Sequence, residues 1–349
     1  MKYYLKNEEL SRFLTSLSRK YNIYIPEKIN EDDYVLTRAP VNLPEEIVFN
    51  KYRTVEPLKS FFTHAKEEVA HYFSEKDWQG RASPVCLLGV KACDLFSFKV
   101  QDFVFEQSVD VDLLYCSRRE NTLIISSDCT GFKEVCHCLA LNILSYPVEL
   151  FDLNLSPLND GYIVEVGSKK GEALVKENNQ YFNPASSGQL TGVKMKRDKM
   201  VEDLQEHLKP QHLAKPEILQ QAVRLGHDSK LWENEMLTCV ECGACNNICC
   251  TCHCFLLADE KKSDKYTRVR TWDACQYANF SRVAGGANPL KIRRQRLRNR
   301  YLKKFDFFPD NIGLNACTGC GRCVEACPAK IDIRKILKTL ANEKSLPTY

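Results

Sequence analysis

Apolar positions along this chain follow two rhythms. Leu10, Phe13, Leu14 and Leu17 recur three and four apart, which places them on one face of a helix. Residues 61–73, rich in Glu, Lys and Ala, predict another helix. Two short runs, Val85-Cys-Leu-Leu-Gly-Val90 and Thr122-Leu-Ile-Ile-Ser-Ser127, predict buried strands, each followed by a turn and a helical pattern. Residues 161–177 repeat that order more weakly. The alternation predicts an α/β layer. The Gly-, Ser- and Asn-rich stretch 178–192 predicts a loop or linker. From 196 to 236 the pattern is helical, broken near Pro210 and Pro216. The expected organisation is an α/β domain over 1–195, a helical linker over 196–236 and a cysteine-rich domain over 237–349, so the fold class is α+β multidomain.

The cysteine-rich domain contains one motif twice. The second copy is Cys317-Thr-Gly-Cys320-Gly-Arg-Cys323-Val-Glu-Ala-Cys327-Pro328, and the first is Cys239-Val-Glu-Cys242-Gly-Ala-Cys245-Asn-Asn-Ile-Cys249. Three cysteines at two-residue gaps wrap one cluster, and a fourth, three residues further on, leaves to ligate the other cluster. Two 4Fe–4S clusters follow, one on Cys239, Cys242, Cys245 and Cys327, the other on Cys317, Cys320, Cys323 and Cys249. Zinc also favours Cys-x2-Cys, but has no use for a crossed fourth cysteine.

Composition narrows the setting. The chain has 349 residues, 44% of them hydrophobic, enough for two or three domains with sizeable cores. Eighteen cysteines in a chain of this length do not resemble a small secreted disulfide scaffold. The N-terminus lacks the apolar core of a signal peptide, and no stretch approaches about 18 uninterrupted apolar residues. A reducing cytoplasm, no membrane and thiolates used as metal ligands are expected, in an organism living without oxygen. The net charge of +4 names no partner.

Other cysteines form two further sets. Cys93 follows the first apolar strand and Cys129 the second, with Cys136 and Cys138 soon after. Parallel strands would deliver Cys93 and Cys129 to one carboxyl edge, where open α/β sheets place ligands. Cys93, Cys129, Cys136 and Cys138 are therefore candidates for a third 4Fe–4S cluster, the alternative being buried thiols that act as small hydrophobes. Cys252, Cys254 and Cys275, with Cys250 and His253 nearby, make a further metal site geometrically possible, against the same alternative. Cys86 and Cys116 read as ordinary core residues. From Arg282 to Lys304 there are nine Lys or Arg and no Asp or Glu. That stretch suits either a solvated helix face or a surface for an acidic partner protein. No nucleic-acid fold signature accompanies it. No Gly-x-Gly-x-x-Gly loop and no Ser/His/Asp set stand out, so neither flavin nor nicotinamide is expected on this chain, and no catalytic residue is assigned.

The first motif runs on into Thr251-Cys-His-Cys-Phe255, then Arg268-Val-Arg-Thr-Trp-Asp-Ala-Cys275, Ala284-Gly-Gly-Ala-Asn-Pro289 and the second motif. With Gly89-Val-Lys-Ala-Cys-Asp-Leu95 and Cys129-x6-Cys-x-Cys138, this resembles the iron–sulfur β subunit of cytoplasmic sulfhydrogenases and the A subunit of anaerobic sulfite reductase, over about residues 50–340. The resemblance implies an α-helical ferredoxin-like dicluster domain. It also implies a non-catalytic subunit of a hetero-oligomer, relaying electrons between a subunit that uses FAD and NAD(P)H and a terminal hydrogenase, sulfite reductase or heterodisulfide reductase. The chain departs from that family in having Cys250 where proline usually follows Cys249, and Ala287-Asn-Pro-Leu290 where His-Asn-Pro-Arg is common. Cys249 keeps the motif spacing, but Cys250 is a possible ligand. A rival reading is a reductase that acts directly on a sulfur substrate at a special cluster on Cys252, Cys254 and Cys275.

Overall fold

The computed structural model describes residues 2–40, 42–44, 47–72, 82–263 and 265–346. Two compact units emerge, and they interleave rather than following the contiguous blocks expected from the sequence. One gathers residues 2–58, 82–134 and 143–206, and the other 59–72, 135–142 and 207–346. The division falls in the last turn of helix Ser187–Leu208.

The first unit is the expected α/β layer. Across its sheet the strands run Tyr34–Arg38, Asn22–Lys28, Val85–Val90, Thr122–Ser127, Leu153–Pro157, Gly161–Val166, Lys2–Lys6 and Asn183–Pro184. The four from Asn22–Lys28 to Leu153–Pro157 are mutually parallel, and the rest pair antiparallel. Thr122–Ser127 is buried at every position, as a strand covered on both faces must be. Helix Asn7–Ser18 lays Leu10, Phe13, Leu14 and Leu17 into the core beside Leu88, Leu123 and Leu153. Strand Gly161–Val166 and helix Lys169–Glu177 hold as read. The stretch 178–192 is not simply a loop. A helix starts at Ser187, because Ser186 and Gln189 form a reciprocal capping pair: Ser186 N–H donates to Gln189 Oε1 at 2.9 Å and Gln189 N–H to Ser186 Oγ at 3.3 Å.

In the second unit, Trp232, Leu297, Tyr301, Phe305, Ile336 and Leu340 anchor a helical core. Helix Ile333–Glu343 buries Ile333, Ile336, Leu337, Leu340 and Ala341, one stripe at helical spacing. The segment between the cysteine motifs adds a hairpin, Phe255–Lys262 with Lys265–Trp272, extended by strand Lys66–His71. The helix expected at 61–73 is therefore corrected. A single 3₁₀ turn, Leu58–Phe61, precedes that strand, and Phe73 lies outside the described residues. Lys66–His71 has helical composition, yet pairing with Lys265–Trp272 and the buried ion pair Arg270–Glu67 at 2.7 Å outweigh a propensity worth tenths of a kcal/mol per residue. Among the described residues no helix is long and apolar enough to cross a membrane.

Candidate iron–sulfur centres

Both copies of the cysteine motif fold alike. Gly243 and Gly321 sit at φ +70° and +73° and cap the short helices Ala244–Asn247 and Arg322–Glu325, which carry Cys245 and Cys323. Glycine is required here for conformation and for space. A Cβ on Gly321 would lie 2.5 Å from Val135 O, and one on Gly319 (φ +63°) would lie 2.4 Å from Cys138 Cα. The chain segment Val135–Cys138 thus lies against the second motif, and His137 N–H donates to Gly319 O at 2.8 Å.

The thiols gather across the motifs. Beyond burial, the groups that raise the Cys239 pKa are Cys327 and Cys242. Cys245, pushed up to about 12 mainly by burial, is also influenced by Cys323 and Cys327. Cys317, also pushed up to about 12 by burial, is influenced by Cys323 and Cys249, and Cys323 by Cys249 and Cys320. Each fourth cysteine therefore stands with the opposite motif. Cys239, Cys242, Cys245, Cys323 and Cys327 line a cavity of about 40 Å³ together with Arg300. Cys249 and Cys250 are both buried. Cys249 is held low by hydrogen bonds from the Cys250 and Cys252 thiols, while Cys250 lies 3.4 Å from Thr318 Oγ1 and next to Cys320. Among the described residues no three His, Cys, Asp or Glu side chains converge as a single metal ion would require. In a four-iron cluster each thiolate binds a separate iron, which spaces the sulfurs more widely.

The charge environment fits such a group. Arg300 and Lys304 are both only 4% exposed and make no ion pair with a carboxylate among the described residues. Burial opposes the charge on Arg300, and Cys245 and Cys323 outweigh it. For Lys304 the same is done by Cys249 and Cys252. Arg300 Nε is buried without a hydrogen-bond partner, as is Nε2 of His137 beside Cys320. Unpaired buried cations cost several kcal/mol each unless an anion compensates them. Thiolates and the sulfides of a cluster would provide that negative charge and accept the Arg300 Nε–H; the neutral His137 ring keeps its proton on Nδ1, which donates to Val135 O at 3.0 Å. None of this was legible in the sequence, where Arg300 and Lys304 belong to a basic run that looks exposed. That run is corrected here. Its helix, Arg293–Leu302, turns Arg296 and Arg300 inward, and Arg296 pairs with Glu241 and donates to the carbonyls of Leu290 and Lys291 at 2.7 Å. Lys291, Arg293 and Arg294 are exposed.

Cys252 and Cys275 lie close together, since Asn246 Nδ2 is 3.7 Å from the first sulfur and 3.1 Å from the second. Cys254 is influenced by Cys275. Lys59, buried over the ring of Trp272 at 4.2 Å, donates to the Cys252 and Asn246 carbonyls. In the first unit, Cys93 and Cys129 follow the carboxyl ends of adjacent parallel strands, as expected. Between them Lys91, 1% exposed, donates to Ser127 Oγ at 2.7 Å and to Asp128 O at 2.9 Å. Cys129 also opens on a cavity of about 460 Å³ with Ser145, Tyr146 and Arg197. Cys136 and Cys138 belong to the second unit. The lysines beside these thiols escaped the sequence reading, although Lys91 stands in the Val90-Lys-Ala-Cys93 run.

Residues 238–331 match the family model described as a 4Fe-4S dicluster domain. Over 338 residues the chain is 32% identical to sulfhydrogenase 2 subunit beta of Pyrococcus furiosus, covering 95% of this chain and 96% of that protein. With its paired cysteine loops and buried, carboxylate-free cations, this iron–sulfur chain belongs to the family of sulfhydrogenase β subunits.

Proposed function

We propose that this chain is the electron-relay subunit of a cytoplasmic hetero-oligomeric oxidoreductase. It would exchange electrons with a subunit carrying FAD and using NAD(P)H on one side, and with a terminal hydrogenase, sulfite reductase or heterodisulfide reductase on the other. What supports this reading is the placement of Cys327 near Cys239 and of Cys249 near Cys317, with Arg300 beside Cys245 of the first motif and Cys323 of the second. Cys239, Cys242, Cys245 and Cys327 would hold one 4Fe–4S cluster, and Cys317, Cys320, Cys323 and Cys249 the other. When bound, the clusters supply one-electron oxidation and reduction. Around them the helical core excludes water, Gly243, Gly319 and Gly321 fix the loop curvature, and Arg300 and Lys304 balance negative charge. A third cluster on Cys93, Cys129, Cys136 and Cys138 forms part of the proposal. The test is anaerobic purification of the native complex followed by rapid reduction with NAD(P)H. The isolated chain should accept electrons only when the flavin subunit is added back, and direct reduction by NAD(P)H would overturn the reading.

A second reading is favoured by the approach of Cys252 and Cys275 to one amide, Asn246 Nδ2. On that reading the chain is itself a reductase of a sulfur compound. Turnover of sulfite or a disulfide by the isolated chain with a chemical reductant would favour it.

A further inference from the structure

Lys304 lies in a π-helical turn, Lys303–Phe307, between helices Arg293–Leu302 and Phe308–Ile312. Such turns are rare and re-aim side chains, often at functional sites. Here the turn directs Lys304 inward, where its Nζ lies 3.3 Å from Cys249 Sγ, 2.8 Å from Thr251 Oγ1 and 2.9 Å from Ala316 O. Ala316 N–H in turn donates to Lys304 O at 2.8 Å, so the lysine is fixed at the entrance to the second motif. The nearest carboxylate along the chain, Asp306, is committed to Arg224 at 2.6 Å. The ammonium is thus buried, held by three partners and aimed at a thiol of only one of the two sets. By contrast, Arg296, on the Cys239 side, has its charge answered by Glu241.

We propose that Lys304 sets the reduction potential of the cluster held by Cys249, Cys317, Cys320 and Cys323, raising it above the value the buried site would otherwise impose. This rests on the dicluster reading above. Reduction adds one negative charge, and burial penalises that charge because little water solvates it. A fixed cation in contact with a ligand sulfur favours the more negative state, and charge near the sulfurs is an established determinant of cluster potential. Electrons entering the chain would accordingly rest more readily at the Cys249 site than they would without Lys304.

The test is potentiometric titration of the full-length chain, followed by electron paramagnetic resonance, with iron and sulfide measured on every sample. Four or fewer irons in the unaltered protein would sink the dicluster reading itself, before any variant is compared. Given eight, Lys304→Met should lower the midpoint of one cluster by about 59 mV, a tenfold change in its reduced-to-oxidised ratio, and leave the other in place. Lys304→Arg should restore it. Lys304→Gln retains a donor for Ala316 and Thr251 without the charge, and should reproduce the Met shift. Unchanged potentials in both neutral variants at full iron content would overturn the proposal. Loss of that cluster from both would also overturn it, by making Lys304 a scaffold residue.

Discussion

Replacing Gly319 by alanine tests how tightly the second cysteine loop is built, and Gly313 provides the control. Both glycines are left-handed, at φ +63° and +69°. Alanine in that conformation costs about 1 kcal/mol at either position. A Cβ on Gly313 meets nothing within 4 Å, so Gly313→Ala should cost only that. A Cβ on Gly319 would lie 2.4 Å from both Cα and N of Cys138 and 2.6 Å from the His137 carbonyl carbon, all backbone atoms that cannot rotate away. Separating the two segments loses the 2.8 Å His137 N–H···O Gly319 bond, worth about 1 kcal/mol. Overpacking adds about 1–3 kcal/mol. Gly319→Ala should therefore cost about 3–5 kcal/mol, against about 1 for Gly313→Ala. The assay is denaturant unfolding of the anaerobic protein, followed by fluorescence and by release of iron. Gly319→Ala should also lower iron retained after reconstitution, while Gly313→Ala should not. Equal destabilisation by the two changes would refute the claim that residues 135–138 are clamped to the second motif.

Other expectations are equally specific. Anaerobically reconstituted protein should hold at least eight irons with matching sulfide, and Cys320→Ala should lose about four, since the ligands also pin the fold; four or fewer in the unaltered protein is the contrary result. Arg296→Ala should cost about 3 kcal/mol by denaturant midpoint, because it strands Glu241 and the carbonyls of Leu290 and Lys291. Changing the exposed Lys291 and Arg294 to Glu should barely affect folding and should slow electron exchange with one partner, most at low salt; rates unaltered at every ionic strength would remove this helix as a docking surface. In the first unit, burial by itself would raise the Glu165 carboxyl. Hydrogen bonds from Arg197 at 2.9 Å and Lys2 at 2.6 Å outweigh it and lower the pKa. The stabilisation is therefore full above the ordinary carboxylate range and lost as pH falls through the lowered folded value. Glu165→Gln should flatten the acid limb of a stability–pH curve, and an unchanged limb would show that the ion pair adds nothing.

Much of the fold could be read from local pattern. The strands Val85–Val90 and Thr122–Ser127 have the bounds their sequence runs suggest, because a strand covered on both faces reads as a nearly continuous apolar run, here ending on the hydrogen-bonded Ser126 and Ser127. The face formed by Leu10, Phe13, Leu14 and Leu17 is buried as its spacing requires. The region 61–73 misled for the opposite reason. Its composition favours helix, but its conformation is fixed by a strand about 200 residues away, which no local window contains. The start at Ser187 was missed although its signal, Ser186-x-x-Gln189, is local.

Residue spacing alone specifies the candidate chemistry of the site. Cysteine spacing within one loop is a short-range property, so eight candidate ligands and their crossed pairing could be written down from residues 239–249 and 317–327. Tertiary structure decided what surrounds them. Whether Arg300 and Lys304 meet water or sulfur, and whether Arg296 meets water or Glu241, depends on which side of a helix the core covers, and on a π-turn that rotates Lys304 inward. In the sequence these residues belong to a run of cations with no acidic neighbour. In the fold Arg296 is answered by Glu241, and Arg300 and Lys304 are the charges that would stabilise a buried, negatively charged cluster, because burial removes the water that would otherwise solvate either sign alone.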